Sequence, residues 1–534
     1  MEAVFLDLNF EKLYELTFPL SEDKTPLYFQ GQYRNIESDK VLFKKGQSID
    51  LGTYFNSFSL KKWIEYTTIS KLNIKLRMEG KFHVEFYGMS FNKNMKLPEY
   101  IRVRPNLERI INTFMLKLRE EVFSKNDVDG PIEQVIDIKE LNDKYEFDLI
   151  GIKLTALSND SVFYGGEYFG SFETKRDVKI GITICTFKRE KYLLSNLNKL
   201  KVLTNKNPNI NVMVIDNGQT LEEHNDEKLQ IIHNLNFGGS GGFTRGMIEQ
   251  VNQKRNTHVI LMDDDIVIEI SSFDRLYKLL QHLRTSYLDN FFAGAMIRLE
   301  KPTIQFENTA YWNKRAALPY GSKYDLKKKK FLCKNEYTVQ HKNQYAGWWF
   351  CCIPIEVIKK IGYPLPVFIK GDDIEYSIRN GKPIMSMNGV GVWHENFFKK
   401  KWTVLTQYFD HRNMLLVHHF FDGYDKSIFK MIVLRRIAGR IKRFEFSGLR
   451  ALDLALQDLN QGLYKLTSIG SDKKFEMIKD YSFDKNIIST VISILKSLQE
   501  HYVRYDELDK EYKKFRDEKL LDQKFWQTFL GLDK

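Results

Sequence analysis

The amino-acid sequence predicts an α/β protein, with a central domain at 178–401, a β-rich, sandwich-like domain before it at 1–177 and a helical domain after it at 402–534. Three observations carry this reading. Segments before Asp177 alternate apolar and polar residues, uninterrupted apolar runs alternate with helical stretches after Lys179, and helix-period patterning takes over beyond Trp402. Length agrees, since 534 residues exceed what one hydrophobic core organises.

In the first domain, residues 72–77 and 82–86 repeat with period two, the pattern of a strand with one face on a core. Met78-Glu79-Gly80-Lys81 between them predicts a hairpin turn. A structural or sugar-binding β domain without chemistry of its own is expected here.

The central domain shows five apolar runs, at residues 180–186, 212–216, 229–233, 258–263 and 291–297. Continuous runs joined through helices indicate a parallel sheet covered on both faces. Ligands of such sheets gather outside the carboxyl ends of the strands, which makes the polar residues after each run the first candidates. After the first run, Thr186-Phe187-Lys188-Arg189 offers a hydroxyl and two cations to a nucleotide, with Thr186 and Arg189 the donors of interest. After the second, Asp216 and Asn217 could read a uracil edge or a ribose.

The third run leads into Asn236-Phe237-Gly238-Gly239-Ser240-Gly241-Gly242-Phe243, a glycine-rich helix start that suits a diphosphate through Asn236, Gly239 and Gly241. It matches neither the P-loop nor the dinucleotide fingerprint, and a tight packing turn would use the same glycines. The fourth run stops at Asp263-Asp264-Asp265. Adjacent carboxylates repel unless a cation joins them, and hard oxygen ligands favour Mg²⁺ or Mn²⁺ carrying phosphates; a solvated acidic turn is the alternative. Farther on, Asp372-Asp373 sits at an expected helix start and Trp393-His394 ends a short strand.

Composition narrows the class. No pair among Cys185, Cys333, Cys351 and Cys352 has zinc or redox spacing, so the four are expected to be reduced and structural. The start of the chain lacks a basic leader with an apolar run, and no stretch of apolar residues reaches membrane-spanning length, which predicts a cytoplasmic protein. The net charge of +12 would suit nucleic acid, an acidic membrane or an anionic substrate alike. No nucleic-acid motif accompanies it, and Lys327 to Lys330 reads as a solvated loop.

Taken together, Thr186-Phe187-Lys188-Arg189, the 236–243 turn, Asp263-Asp264-Asp265, Trp348-Trp349, Asp372-Asp373 and Trp393-His394 resemble the family 2 glycosyltransferases of GT-A, Rossmann-like fold, and among them the bacterial galactofuranosyltransferases of galactan synthesis. The resemblance implies that Asp263, Asp265 and His394 hold a divalent metal, Mn²⁺ or Mg²⁺, against the donor diphosphate, with Asp264 nearer the sugar or ribose. It implies Asp373 as general base with Asp372 beside it, and Trp348 and Trp349 flooring the acceptor site. The expected activity is inverting transfer of a sugar, galactofuranose by the resemblance, from a UDP-sugar to a polysaccharide or lipid-linked glycan.

Two further expectations concern the surroundings. Lys430, Arg435, Arg436, Arg440, Lys442 and Arg443, interleaved with apolar residues, suit either an ordinary amphipathic core helix or a peripheral contact with the inner face of the cell membrane, and the latter is the expectation carried forward. Nucleic acid is not expected as a partner, and self-association is left open. The rival readings are a noncatalytic carbohydrate-binding scaffold, a transferase for another UDP- or dTDP-sugar, a nucleic-acid binder, and a nucleotidyltransferase, which would release pyrophosphate.

Overall fold

The computed structural model describes residues 10–91, 114–123, 132–138, 140–141, 146–313, 317–337, 343–395, 403–421, 423–463 and 486–532. The expected boundary at 401 and 402 falls outside them.

The first domain is a sandwich of a six-stranded and a five-stranded sheet. Leu72, Ile74 and Leu76 from one sheet and Phe82, Val84 and Phe86 from the other are buried between them. The turn at 78–81 therefore does not close a hairpin. Ile69–Glu79 pairs with Ser161–Phe172 and Ile132–Asp137, whereas Phe82–Ser90 pairs with Leu149–Ala156 and Phe114–Phe123. Gly80, at φ 97°, carries the chain from one sheet to the other against the backbone of Ser161, and so sets both apolar faces on one core.

The central domain is built on a seven-stranded sheet. Its middle strands, Leu229–His233, Ile210–Asp216, Ile180–Thr186 and His258–Asp263, are parallel in that spatial order. The flanking strands His224–Asn225 and Cys351–Pro354 run antiparallel to them, and Phe292–Ala293, antiparallel to Cys351–Pro354, returns to their direction, so the sheet is mixed, not parallel throughout as expected. Along His258–Asp263, Ile260 and Met262 join one core with Leu193 and Leu200 of the helix Glu190–Lys206. Val259 and Leu261 join the opposite core with Met247 and Ile248 of the helix Gly238–Gln253. Burial on both faces explains why these strands read as unbroken apolar runs.

The run at 291–297 does not form one strand. Phe292–Ala293 stays in the large sheet, and Ala295–Arg298 crosses to a four-stranded sheet beside Gly391–His394. Gly294 permits the break, because a side chain there would meet the Phe350 ring at 2.7 Å. In that second sheet Gly391–His394 pairs antiparallel with Ile266–Ile268, placing His394 opposite Ile266. A histidine some 130 residues downstream thus reaches the Asp263–Asp265 turn.

The tail is helical, with Val404–Val417, Lys426–Lys442, Phe446–Leu459, Ile487–Lys519 and Gln523–Leu530. Its Phe429, Ile432, Leu452, Ile494 and Tyr505 belong to the same buried cluster as Phe243 and Met247 of the central domain. Two expectations about cations change. Lys329 leaves the supposed solvated run to bond Asp50 and the Tyr87 hydroxyl, 2.6 Å away, in the sandwich. Arg436 turns inward to His411 and Asp410, and Arg440 and Arg443 pair with Glu445, leaving Lys430, Arg435 and Lys442 exposed.

His419 and His501 meet inside the tail with Nε2 atoms 3.1 Å apart, flanked by Asp509 at 3.3 Å and Asn460 at 2.7 Å. Burial lowers both imidazole pKa values, and at His501 the neighbouring His419 and Arg504 lower it further. Buried His258, His411 and His418 are lowered as well. A depressed folded-state pKa means that the unfolded chain takes up protons first. The associated stability is therefore present above the unfolded value of about 6.5 and is lost as pH falls below it. Over about pH 7.5 to pH 5.5 this contribution falls, while the raised carboxyls of Glu307, Asp372 and Asp373 act in the opposite sense; replacing His419 and His501 with asparagine should therefore shift the melting temperature, relative to the unmodified chain, more favourably at pH 5.5 than at pH 7.5, and an equal shift at both would contradict this account.

Candidate functional site

The strand His258–Asp263 ends at the carboxyl edge of the sheet, and Asp263, Asp264 and Asp265 follow one another into the turn there. Asn196 holds this turn, donating from Nδ2 to the carbonyls of Asp264 (3.3 Å) and Ile266 (2.9 Å). Side-chain ligand atoms of Asp263, Asp265 and His394 all lie within 4.8 Å of one another. His394 Nε2 is 3.2 Å from Asp265 Oδ1 and 3.8 Å from Asp263 Oδ2. Its Nδ1 meets the Glu395 carbonyl at 2.5 Å, which fixes the ring and leaves Nε2 facing the carboxylates. Burial lowers the His394 pKa, but Asp265 and Asp263 more than offset it, for a net rise. Two carboxylates and an imidazole converging in this way fit a divalent cation.

Around this group, Arg189 bonds Asp265 and lies 3.6 Å from Asp264 Oδ1. Thr186 Oγ1 donates to Asp264 Oδ2 at 2.7 Å. Burial pushes the Asp264 carboxyl up to about 6, with Thr186 and Arg189 acting against the rise. Thr186, Arg189 and Asp264 therefore form one connected set.

The residues after the second and third strands divide. Asp216 is fully buried, and its carboxylate accepts the backbone N–H groups of Gly218 (2.9 Å), Thr220 (2.7 Å) and Leu221 (2.8 Å). Asn217 donates to the Gly238 carbonyl at 3.0 Å and accepts from Asn234 at 2.8 Å. Both hold the loop together through these bonds. The glycine-rich segment is mostly helix, starting at Gly238. Side chains at Gly242 and Gly246 would strike Cys185 Sγ at 2.2 Å and Thr183 Cγ2 at 2.3 Å, so these glycines seat the helix on the Ile180–Thr186 strand. Gly241 faces Phe237 in the same close manner and is not presented to a ligand, whereas a Cβ on Gly239 would meet nothing within 4 Å. Asn236 Oδ1 accepts the Gly238 N–H at 3.2 Å. Phe529 of the last helix packs on Phe237 with ring centres 5.0 Å apart.

Asp372 and Asp373 open the helix Asp372–Asn380. Asp373 Oδ1 accepts the Ile374 N–H at 2.8 Å. Burial pushes both carboxyls up; the charge of Asp372 adds to the rise at Asp373, and that of Asp263 acts on both. That shared field ties the acidic pair to the metal-type group. Sequence reading missed Glu307, which is 4% exposed and has no hydrogen-bond partner for Oε1 among the described residues. Burial, with the charge of Asp373, pushes it up to about 8.

The tryptophans do not form an open floor. Trp348 packs edge-on against Phe243 and Tyr376, and Trp349 belongs to the other core, donating from Nε1 to the Gly294 carbonyl at 3.1 Å. Both are under one-tenth exposed.

Residues 178–410 match the family model described as glycosyltransferase like family 2. The chain is similar to galactofuranosyltransferase GlfT2 of Mycobacterium tuberculosis, at 23% identity over 454 residues, covering 79% of this chain and 66% of that one. GlfT2 of Mycolicibacterium smegmatis is 24% identical over 452 residues, with 79% and 65% covered. The chain thus spans 66% and 65% of the length of these curated relatives. Among solved structures, residues 1–349 of Staphylococcus aureus TarS in complex with UDP-GlcNAc match at 13% identity and a TM-score of 0.34, covering 63% of this chain and 92% of that one.

Proposed function

From the family 2-like glycosyltransferase domain that this chain carries at residues 178–410, we propose that it is an inverting, divalent-metal-dependent transferase that moves galactofuranose from UDP-galactofuranose onto a polysaccharide or lipid-linked glycan. The observation that carries this is the convergence of three ligand-type groups, Asp263, Asp265 and His394, where the strand His258–Asp263 ends. The GlfT2 likeness supports the choice of sugar.

In the proposed reaction the acceptor hydroxyl oxygen bonds to the anomeric carbon as the bond from that carbon to the diphosphate breaks. Asp373 takes the hydroxyl proton, and its raised proton affinity suits that task. Asp263, Asp265 and His394 would hold Mn²⁺ or Mg²⁺, which when bound neutralises charge on the departing diphosphate. Arg189 and Thr186, which contact Asp264, would border the diphosphate, and the buried carboxyl of Glu307 would orient the acceptor.

A product assay tests the proposal: nucleotide sugars including the furanose form of UDP-galactose, short lipid-linked acceptors, and Mn²⁺ or Mg²⁺. UDP release with a new glycosidic bond is expected. Pyrophosphate release would point to nucleotidyl transfer, and glycan binding without turnover to a scaffold.

We extend the proposal to peripheral membrane contact. Among the described residues, no helix is long and apolar enough to cross a membrane. Lys430, Arg435 and Lys442 are solvent-facing beside Leu434, Ile441 and Phe444, which are 41%, 44% and 79% exposed. Each such cation contributes about 1 kcal/mol against anionic lipid. Lys430, Arg435 and Lys442 changed together to Glu should abolish co-sedimentation with anionic vesicles; binding equal to the unmodified chain would reject this surface.

A further inference from the structure

The loop that leads into Asp372 has an unusual backbone. Phe368, Lys370 and Gly371 have φ values of 74°, 67° and 87°, and two of the three are not glycine. Such a turn persists only where its surroundings hold it. On one side it meets the glycine-rich helix: Ser240 N–H donates to the Phe368 carbonyl (3.0 Å) and Ser240 Oγ to the Leu365 carbonyl (2.6 Å). A side chain at Gly238 would strike that same Phe368 carbonyl at 2.2 Å.

On the other side stands Asn413, fully buried in the helix Val404–Val417. Its Nδ2 donates to the carbonyls of Val367 (3.0 Å), Ile369 (2.6 Å) and Lys370 (3.0 Å). Arg412 fixes the amide's orientation, donating from Nε to Asn413 Oδ1 at 2.8 Å and from Nη2 to the Val367 carbonyl at 2.8 Å. Lys370 is tied to the same helix through Asp410 at 3.3 Å. One amide thus gathers three carbonyls that would otherwise point apart, in the residues directly before the acidic pair.

We propose that Asn413 is a positioning residue for sugar transfer: it clamps the turned loop so that Asp372 and Asp373 stand at a fixed distance from the glycine-rich helix. This rests on the reading of that pair as the base. With the clamp gone, Phe368 and Lys370 relax toward ordinary backbone angles, and the start of the Asp372–Asn380 helix shifts with them. The shift acts on the acceptor proton, while Asp263, Asp265 and His394 lie on other strands and keep their places.

The test compares Asn413→Ala, Asn413→Asp, Asp372→Asn and Asp373→Asn in the full chain, reading kcat, UDP affinity with Mn²⁺ by calorimetry, and melting temperature. Asn413→Ala should lower kcat by about 10²-fold, the scale of a small misplacement of a reacting group, with UDP affinity kept within about threefold. Asn413→Asp has the same shape and no N–H to give, and should fall as far. If Asn413→Ala does not fold, Arg412→Lys, which loosens the amide's orientation and the bond to the Val367 carbonyl while leaving the Asn413 N–H groups in place, should show the same split more mildly. Unchanged kcat, or kcat and UDP affinity falling in proportion with a lowered melting temperature, overturns the proposal. If both aspartate variants keep full turnover, the base reading falls and this inference with it; if either is inactive while Asn413→Ala is active, this inference alone falls.

Discussion

Replacing Asp373 with asparagine should reduce turnover by about 10² to 10⁴-fold and leave UDP-sugar binding nearly unchanged. Asparagine keeps the shape and can still accept the Ile374 N–H, so the helix start has no reason to move. It cannot take a proton. A second consequence separates this from general damage. Burial and the neighbouring Asp372 raise the proton affinity of Asp373, so its ionised form costs the folded chain stability at neutral pH. Removing that charge should leave the melting temperature equal or higher, a trade of stability for function that active sites commonly make. Steady-state kinetics, donor calorimetry and a melting curve on one preparation suffice. An inactive Asp372→Asn beside an active Asp373→Asn would move the base by one residue.

Loss of the cation should be as severe. Excess chelator is expected to abolish turnover, with recovery on adding Mn²⁺ or Mg²⁺, and full activity under chelation would refute the metal role. Asp265→Ala removes the carboxylate that both Arg189 and His394 approach. His394→Ala removes an imidazole whose second nitrogen is already anchored to the Glu395 carbonyl. Groups that merely orient metal ligands are worth about 10 to 100-fold in affinity or activity, so losing a ligand itself should cost at least about 10²-fold in metal affinity.

Much of the candidate site at the carboxyl edge of the sheet was legible in the sequence because buried strands advertise their ends. The strands Ile180–Thr186, Leu229–His233 and His258–Asp263 run over the residues their apolar runs mark, and the polar residues after two of them converge. Glu307 was not legible, since Gln305-Phe306-Glu307 alternates as if its polar residues faced water while the fold buries both. Asn196 and Asn413 were silent for another reason: their amides matter only through carbonyls 68 to 70 and 43 to 46 residues away. The loop that Asp216 builds was silent as well, because a carboxylate at a strand end looks alike in sequence whatever its partners, and here three backbone amides bond it.

The buried cluster shared by the tail and the glycine-rich helix limits how this molecule can be rearranged. Phe243 and Met247 belong to the same buried cluster as Phe429, Leu452 and Tyr505, and Phe529 packs on Phe237 just before the glycine-rich helix. The tail is therefore not an exchangeable cassette. A chimera that kept residues 178–401 and took its helices from a relative would inherit a mismatched core, and would have to be repacked around those aromatics before any change of acceptor preference could be credited to the graft.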